Sequence, residues 1–219
     1  MVDYAALSEA VIEGNAERVK EMVQTALEEG QSARDILDRA LIPAMDVVGE
    51  KFQRQEFYIP EMLVAARAMQ AALGLLKPRL TEQQSRARGR VVIGTVAGDL
   101  HDIGKNLVGM MMQGAGFEVI DLGTDVKPAT FVEAAQSHKP DFLMMSALLT
   151  TTMPSMKATI DALRAAGLRG SVRVAVGGAP VTAEFATEIG ADFYAPDAAS
   201  AAARARELVT GEAVTGDSV

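Results

Sequence analysis

The spacing of apolar residues changes from helical to strand-like near residue 90, and this change limits the chain to a few architectures. Up to about Pro78, apolar residues recur three and four positions apart, as on one face of a helix. From Arg90, short β-rich runs alternate with helical stretches. This alternation predicts βαβ units, in which a parallel sheet carries helices on both faces. We therefore expect an α/β protein with a helical first half.

The first half, residues 1–80, is predicted to form a bundle of four antiparallel helices joined by short turns. Asn15 and Ser32 follow glycine-containing breaks, and their side chains can cap the helices that begin there. Pro43 lies inside the third apolar pattern and predicts a kink, whereas Pro60 suits the first turn of the fourth helix.

Residues 81–90 contain no large apolar side chain and are predicted to be a linker and a plausible hinge. Residues 91–212 are predicted to form a Rossmann-like, flavodoxin-like domain with a five-stranded parallel sheet, and residues 213–219 a disordered tail. The predicted strands are 91–96, 117–122, 142–147, 172–176 and 192–195. Ligands of such sheets bind beyond the carboxyl ends of the strands, so the turns after strands one, three and four are the expected functional region.

The composition excludes several classes of site. The 219 residues include no cysteine and two histidines, His101 and His138, and the net charge is −8. A disulfide, a thiolate metal site and a three-histidine zinc centre are therefore excluded. An acidic chain attracts phosphate backbones poorly, so nucleic acid is not an expected partner. We expect a cytoplasmic protein with no membrane contact, because the chain begins without a secretory signal and no apolar run approaches the roughly 20 residues that span a bilayer.

The turn after the first strand, Gly98–Asn106, allows several interpretations. A phosphate-binding P-loop would have glycine where Asp99 stands, and a carboxylate there would repel phosphate. The glycine pattern of a dinucleotide-binding turn is also missing. A flavodoxin-like signalling domain that is phosphorylated on an aspartate after strand one remains an alternative.

The same turn contains an Asp-x-His pattern. Residues two apart in extended backbone point the same way, so Asp99 can bond one imidazole nitrogen of His101 and leave the other facing outward. Metal-ligating histidines are held in this way. One protein ligand cannot hold a metal ion alone, so the metal would have to arrive inside a cofactor that supplies the other ligands. An ordinary, partly buried histidine is the alternative.

Three short elements occupy the expected turns: Asp99-x-His101-x-x-Gly104, Ser146-x-Leu148 and Gly177-Gly178. Together they resemble the signature of cobalamin-binding domains of the methionine synthase type. The segment Lys51–Met62 is similar to the helical cap that covers the corrin in methionine synthase. The two-module length resembles the free-standing corrinoid proteins of methyl-transfer systems, and the resemblance extends from about residue 3 to residue 210.

This resemblance implies a cobalamin or related corrinoid cofactor, in its methylcobalamin, hydroxocobalamin or Co(I) form. His101 would displace the cofactor's own base as the lower axial ligand of cobalt, with Asp99 as its hydrogen-bonded partner. Thr152 stands where the family usually has a serine and would complete a proton relay. The relay would change protonation as His101 leaves or joins cobalt, because Co(I) prefers no lower ligand.

The resemblance also assigns the residues that surround the cofactor. Small residues such as Gly94 are expected to leave room for the displaced nucleotide tail between strands one and three. On the upper face, Phe52, Ile59 and Met62 would shield the methyl group, whereas His138 is expected at the surface. The other predicted cofactor-binding residues are Gly98, Leu100, Asp102, Ile103, Gly104, Ser146, Leu148, Thr150, Gly177, Gly178 and Ala198.

The predicted function is that of a corrinoid protein, not catalytic alone, that carries a methyl group between two methyltransferases. One loads it from a methylated substrate, and the other passes it to an acceptor such as tetrahydrofolate or a thiol. A reductive activase is a further expected partner. The main alternative is a free-standing cobalamin-sensing regulator that acts through protein partners. A small subunit of an adenosylcobalamin mutase is a weaker alternative, since such subunits usually lack the helical cap.

Overall fold

The structure is a computed structural model, and it describes residues 3–79 and 88–210. The chain divides near residue 88 into two compact units, one helical and one built around a sheet. Most of the predicted linker, residues 81–87, and the predicted tail, residues 213–219, lie outside the described residues. Arg90, the last residue of the predicted linker, is the first residue of a strand.

The helical unit has the predicted four helices, the third of which is irregular. Their bounds are α1, Tyr4–Ile12; α2, Ala16–Glu28; α3, Ala33–Ile36, continuing through a π-helical turn, Leu37–Leu41, into α4, Ile42–Gln53; and α5, Ile59–Leu76, with a 3₁₀ turn, Lys77–Arg79. The predicted caps are confirmed: the Asn15 side chain accepts from the Arg18 N–H, and the Ser32 hydroxyl accepts from the N–H groups of Arg34 and Asp35. Pro60 lies in the first turn of α5, as predicted.

Pro43 does not end the third helix. A proline in a helix lacks an N–H, and its ring collides with the carbonyl four residues earlier. The chain widens just before Pro43, where Ile42 donates to the Leu37 carbonyl five residues back. A wider turn of this kind accommodates a helix irregularity without breaking the helix. The predicted kink is therefore a π-helical turn between α3 and α4.

The stretch Ile59–Arg79 is long and apolar enough, by length and composition alone, to cross a membrane. The charged residues Glu61 and Arg67 interrupt the stretch, so its longest uninterrupted apolar run stays well short of the length that was expected to be missing. In the structure α5 packs against α2 and buries Met62 and Met69. A buried core helix meets the same two criteria as a membrane span.

The second unit is a five-stranded parallel sheet with order β2-β1-β3-β4-β5. The strands are β1, Arg90–Thr95; β2, Glu118–Asp121; β3, Phe142–Ser146; β4, Arg173–Gly177; and β5, Phe193–Tyr194. The helices are α6, Ile103–Gly114; α7, Pro128–His138; α8, Pro154–Ala165; α9, Ala183–Ile189; and α10, Ala198–Thr210. This is the predicted flavodoxin-like order, and each strand lies within two residues of its predicted bounds.

The central strands are buried on both faces, as parallel strands between helix layers are. Gly94 of β1 lies against the ring of Phe131 in α7, and a Cβ at this position would be 2.9 Å from Phe131 Cζ. The space beside Gly94, predicted to take a nucleotide tail, is therefore filled by a phenylalanine. Gly94 lets the α7 side chain pack closely on the sheet.

Candidate functional site

The three predicted turns lie at one edge of the sheet. The last residues of β1, β3 and β4 are aligned in register, with Thr95 opposite Ser146 and Ser146 opposite Gly177. The chain leaves all three strands at this carboxyl edge, where parallel α/β sheets bind their ligands. The sheet therefore brings together three motifs that are spread over 80 residues of the chain, from Asp99 to Gly178.

The turn after β1 folds back on the strand that precedes it. Asp99 donates its N–H to the Val96 carbonyl at 3.1 Å, and the Thr95 hydroxyl donates to the His101 carbonyl at 2.9 Å. Gly98 has φ +83°, which is in the left-handed region that glycine adopts at little cost. These contacts turn Asp99 inward and leave the residues on either side of it exposed.

Asp99 is the centre of the site's hydrogen bonding and is completely buried. Its Oδ1 accepts from His101 Nδ1 at 2.7 Å and from the His101 backbone N–H at 3.1 Å. Its Oδ2 accepts from the N–H of Leu148 at 2.7 Å, from the N–H of Leu149 at 3.3 Å and from the Thr152 hydroxyl at 2.8 Å. One carboxylate thus joins the turn after β1 to the turn after β3.

The environment keeps Asp99 ionised. Burial alone would raise the pKa of Asp99, but the hydrogen bonds from Leu148, His101 and Thr152 hold it well below its ordinary value of 3.8. An ionised carboxylate can only accept, so His101 Nδ1 must carry the proton. Asp99 thus determines the tautomer of His101. When the ring is neutral, the proton on Nδ1 leaves the lone pair on Nε2.

The His101 side chain is 52% exposed, although its partner is buried. Within residues 3–79 and 88–210, no hydrogen bond is made by His101 Nε2. The predicted arrangement of Asp99 and His101 is therefore present in the structure: one ring nitrogen is held and the other is free to bind. This geometry is the one found in histidines that ligate metals.

Thr152 has two acceptors for its single hydroxyl proton. The Thr152 hydroxyl lies 2.8 Å from Asp99 Oδ2 and 2.8 Å from the Leu149 carbonyl. It can donate to the carboxylate when Asp99 is ionised, or turn to the carbonyl and accept when Asp99 is protonated. Thr152, at the position where a serine was expected from the resemblance, therefore has a hydroxyl that can bond to Asp99 in either protonation state of the carboxyl group.

Apolar side chains are exposed around His101. Leu100 is 73% exposed and Ile103 78%, while Leu148 and Leu149 are 42% and 43% exposed. Large apolar groups clustered in this way mark a surface that contacts an apolar ligand or partner. Leu149 was not among the predicted residues, although two successive leucines just after a buried strand, where a polar turn is usual, indicate such a surface.

The glycines of the site have different reasons to be glycine. Gly104 borders open space, with no atom within 4 Å of a Cβ placed there. Gly178 has φ +130°, and a Cβ there would lie only 1.9 Å from the Ala147 carbonyl oxygen. Gly177 approaches the Ala195 carbonyl, which would be 3.0 Å from its Cβ. Gly104 thus leaves open space in the first turn of α6, whereas Gly178 is required by the backbone itself.

The other predicted residues of the sheet unit lie at or near the same edge. Asp102 precedes α6 and accepts from the Asn106 side chain at 3.0 Å, so it stabilises the start of that helix. Ser146 ends β3, Thr150 is exposed in the turn after it, and Ala198 is the buried first residue of α10. In the helical unit, Phe52 is half-buried in α4, Ile59 is exposed at the start of α5 and Met62 is buried.

No three His, Asp or Glu side chains within the described ranges are grouped to hold a metal ion. A metal at His101 would therefore need most of its ligands from a group that the protein binds. This requirement agrees with the single free ring nitrogen and the apolar surroundings of the site.

The charge of Asp99 predicts a pH-dependent stability. We expect Asp99→Asn to lower the free energy of unfolding of the cofactor-free protein by about 2–3 kcal/mol at pH 7, because an amide group turns a donor toward buried donors. The depressed pKa of Asp99 contributes stability above pH 3.8 that is lost as the pH falls further. Urea unfolding should therefore show that the free energies of unfolding of the unchanged protein and of Asp99→Asn become more similar below that pH.

The control is Glu133→Gln, at an exposed position of α7, which should show no such pH dependence. A difference independent of pH would contradict the assignment.

Family comparisons agree with this site. Residues 89–203 match the model of a B12 binding domain, and residues 4–77 match a second model with the same description. The first match includes all three turns, and the second spans the helical unit.

Similar proteins cover almost the whole chain. It is 39% identical over 206 residues to a corrinoid protein from Desulfitobacterium hafniense strain Y51, covering 93% of this chain and 95% of that one. It is 41% identical over 207 residues to dimethylamine corrinoid protein 2 from Methanosarcina acetivorans, covering 94% of this chain and 95% of that one.

Solved structures show the same fold. A cobalamin-binding protein from Desulfitobacterium hafniense DCB-2 is 33% identical, with a TM-score of 0.79 over 94% of this chain and 98% of its own. A chain of the methanol:cobalamin methyltransferase complex from Methanosarcina barkeri is 32% identical, with a TM-score of 0.84 over 94% of this chain and 79% of its own. With its two matching family models, its relatives and its aspartate-held histidine, the chain belongs to the B12-binding corrinoid proteins.

Proposed function

We propose that this chain carries a methyl group on the cobalt of a bound corrinoid, taking it up through one methyltransferase and passing it on through another. The corrinoid supplies a cobalt that can accept and release a methyl group. The observation that carries the proposal is the half-exposed His101 ring, held at Nδ1 by the buried Asp99. In this role the chain is a cofactor-bearing subunit and not a complete enzyme.

The residues of the site fit a corrinoid with its own base displaced. His101 Nε2 is proposed to hold the cobalt, since the corrin would supply the other ligands that the protein lacks. Leu100, Ile103 and Leu148 offer apolar contact to the ring, and the open space at Gly104 leaves room for it. Ser146, Thr150 and Ala198 are proposed to contact the displaced nucleotide tail.

Asp99 and Thr152 are proposed to move a proton in step with His101. With a metal on Nε2, His101 would keep its Nδ1–H donated to the ionised Asp99, which would hold the ring in place. When His101 leaves, a proton taken up by the pair can be held between Asp99 and the ring, while the Thr152 hydroxyl turns toward the Leu149 carbonyl. The two acceptors at Thr152 support this proposal.

The upper face and the partners are proposed on the same basis. Phe52, Ile59 and Met62 are proposed to shield the methyl group, because apolar side chains exclude water from a reactive centre. Relatives named for dimethylamine and for methanol:cobalamin methyltransferase support a methyltransferase as one partner. A second methyltransferase, with tetrahydrofolate or a thiol as acceptor, and a reductive activase complete the proposed system.

The proposal is tested by loading and methylating the purified protein. We expect the protein to bind hydroxocobalamin in a molar ratio of about one to one. After reduction with titanium(III) citrate, the loaded protein should take up the methyl group of iodomethane. Gly104→Leu should fold normally, because nothing lies within 4 Å of the new Cβ, yet it should bind cobalamin at least tenfold more weakly by blocking the space beside His101. Visible spectra and equilibrium dialysis give both quantities.

The matched control is Gly170→Leu, at another position with no atom within 4 Å of its Cβ. This variant should bind cobalamin like the unchanged protein. Failure to bind cobalamin would reject the proposal. Binding without methyl uptake, after verified reduction, would instead favour the cobalamin-sensing regulator.

A further inference from the structure

The loop between β2 and α7 contacts the Asp99 turn from the side opposite Thr152. The Asp125 carboxylate accepts from the Gly98 N–H at 2.7 Å, and the Asp125 N–H donates to the Asp99 carbonyl at 3.0 Å. Asp125 therefore bonds to both residues at the centre of the turn. None of the motifs of the sequence includes Asp125.

Asp125 adopts a backbone conformation that few residues accept. Within the described chain, three non-glycine residues have positive φ: Gln55, Asp125 and Lys139. Gln55 and Lys139 follow the ends of α4 and α7, where left-handed residues are common. Asp125, with φ +54°, follows no helix. Unusual backbone conformations away from helix ends are often held in place beside functional sites.

The loop that carries Asp125 is anchored on both sides of this residue. Gly123 accepts from the Thr95 N–H at 2.9 Å, and Val126 donates to the Thr95 carbonyl at 2.9 Å. Asp121 accepts from the Gly123 N–H and pairs with the buried Lys105 of α6 at 2.5 Å. These bonds fix the loop to the end of β1 and to α6, so Asp125 is a fixed support and not a mobile side chain.

We infer that Asp125 is a positioning residue for His101. The turn after β3 holds the Asp99 side chain through Leu148 and Thr152, and the Asp99 N–H bonds to the Val96 carbonyl. Neither turn supplies a partner for the Asp99 carbonyl or the Gly98 N–H, and Asp125 supplies both. Asp125 holds that backbone through Gly98 and Asp99, and so fixes the direction in which Asp99 presents its Oδ1 to His101. The inference rests on the proposed function only in its final step, where His101 ligates a corrinoid.

The first test uses the protein without cofactor. In Asp125→Gly, the backbone retains access to the left-handed region and the residue is exposed, so the protein should fold while losing the bond to Gly98. We expect hydrogen exchange of the His101 Nδ1 proton, followed by nitrogen-15 NMR, to become about tenfold faster, in line with one lost bond to a charged acceptor. Asp125→Asn keeps an acceptor oxygen and tolerates the left-handed conformation, and it should restore slow exchange.

The control is Lys139→Gly, which changes another left-handed residue distant in the chain from the Asp99 turn. It should leave the exchange rate unchanged. Unchanged exchange in Asp125→Gly would overturn the inference. Fast exchange in Asp125→Asn would overturn it also, because the acceptor oxygen would then not be the cause.

The second test uses the cobalamin-loaded protein in the Co(II) state. We expect paramagnetic resonance of Asp125→Gly to show about a tenfold lower ratio of histidine-bound to histidine-free cobalt. If the unchanged protein shows no histidine coupling, the proposed function fails while the exchange test still decides the role of Asp125. If the unchanged protein shows the coupling and Asp125→Gly does so equally, the positioning role is overturned.

Discussion

Replacing Gly178 by alanine should lower the free energy of unfolding by about 4 kcal/mol, because the change combines backbone strain with a steric collision. Gly178 has φ +130°, and the new Cβ would lie 1.9 Å from the Ala147 carbonyl oxygen. The new Cβ and the Ala147 carbonyl oxygen are both fixed to the backbone. The turn after β3 or the turn after β4 must therefore move. Urea unfolding of the cofactor-free protein measures the loss.

The same collision should reach the site. Ala147 precedes Leu148, whose N–H donates to Asp99 Oδ2 at 2.7 Å. Displacing this turn weakens the bond that does most to lower the pKa of Asp99. Gly170→Ala is the control, because Gly170 has no atom within 4 Å of its Cβ and no positive φ. Equal stability of the two variants would contradict the geometry at Gly178.

Replacing His101 by alanine should abolish the histidine nitrogen coupling in the Co(II) spectrum of the cobalamin-loaded protein. His101 is the histidine whose ring is held at Nδ1 by a buried carboxylate, and about half of its side chain is exposed. The chain has one other histidine, His138, at the end of α7. His138→Ala should therefore leave the coupling unchanged.

Labelling the protein with nitrogen-15 separates the two possible sources of coupling. A nitrogen from the protein then gives the nitrogen-15 splitting, whereas a nitrogen from the cofactor's own base keeps the nitrogen-14 splitting. We expect the nitrogen-15 pattern in the unchanged protein and in His138→Ala, and its loss in His101→Ala. Persistence of the nitrogen-15 pattern in His101→Ala would show that His101 is not the ligand.

The secondary structure was predictable because its signals are local. Short β-rich runs bounded by turns indicated the five strands, and Asn15 and Ser32 marked two helix starts through caps that span three residues. The widened turn before Pro43 was not predictable, because a proline alone does not decide between a kink and a π-helical turn. That outcome depends on how the whole helix packs.

The residues of the candidate site were predictable where they belong to one short sequence motif. Residues that reach the site from distant parts of the chain were not predictable. Asp99 and His101 are two residues apart, and their hydrogen bond follows from that spacing. Asp125 contributes to the same turn from 26 residues after Asp99, without a neighbouring residue that would mark it. Gly94 was assigned to a ligand channel, but the tertiary packing places Phe131 beside it.

The sequence by itself determined the alternation of strands and helices, the residues that end the three central strands, and an aspartate near a histidine in the first turn. The tertiary structure decided what those residues can do. Only the register of β1 and β3 brings Leu148 and Thr152 to Asp99. Those donors keep a buried carboxylate ionised, and the ionised carboxylate places the proton of His101 on Nδ1. A free Nε2 is therefore a consequence of long-range contacts, which no local pattern encodes.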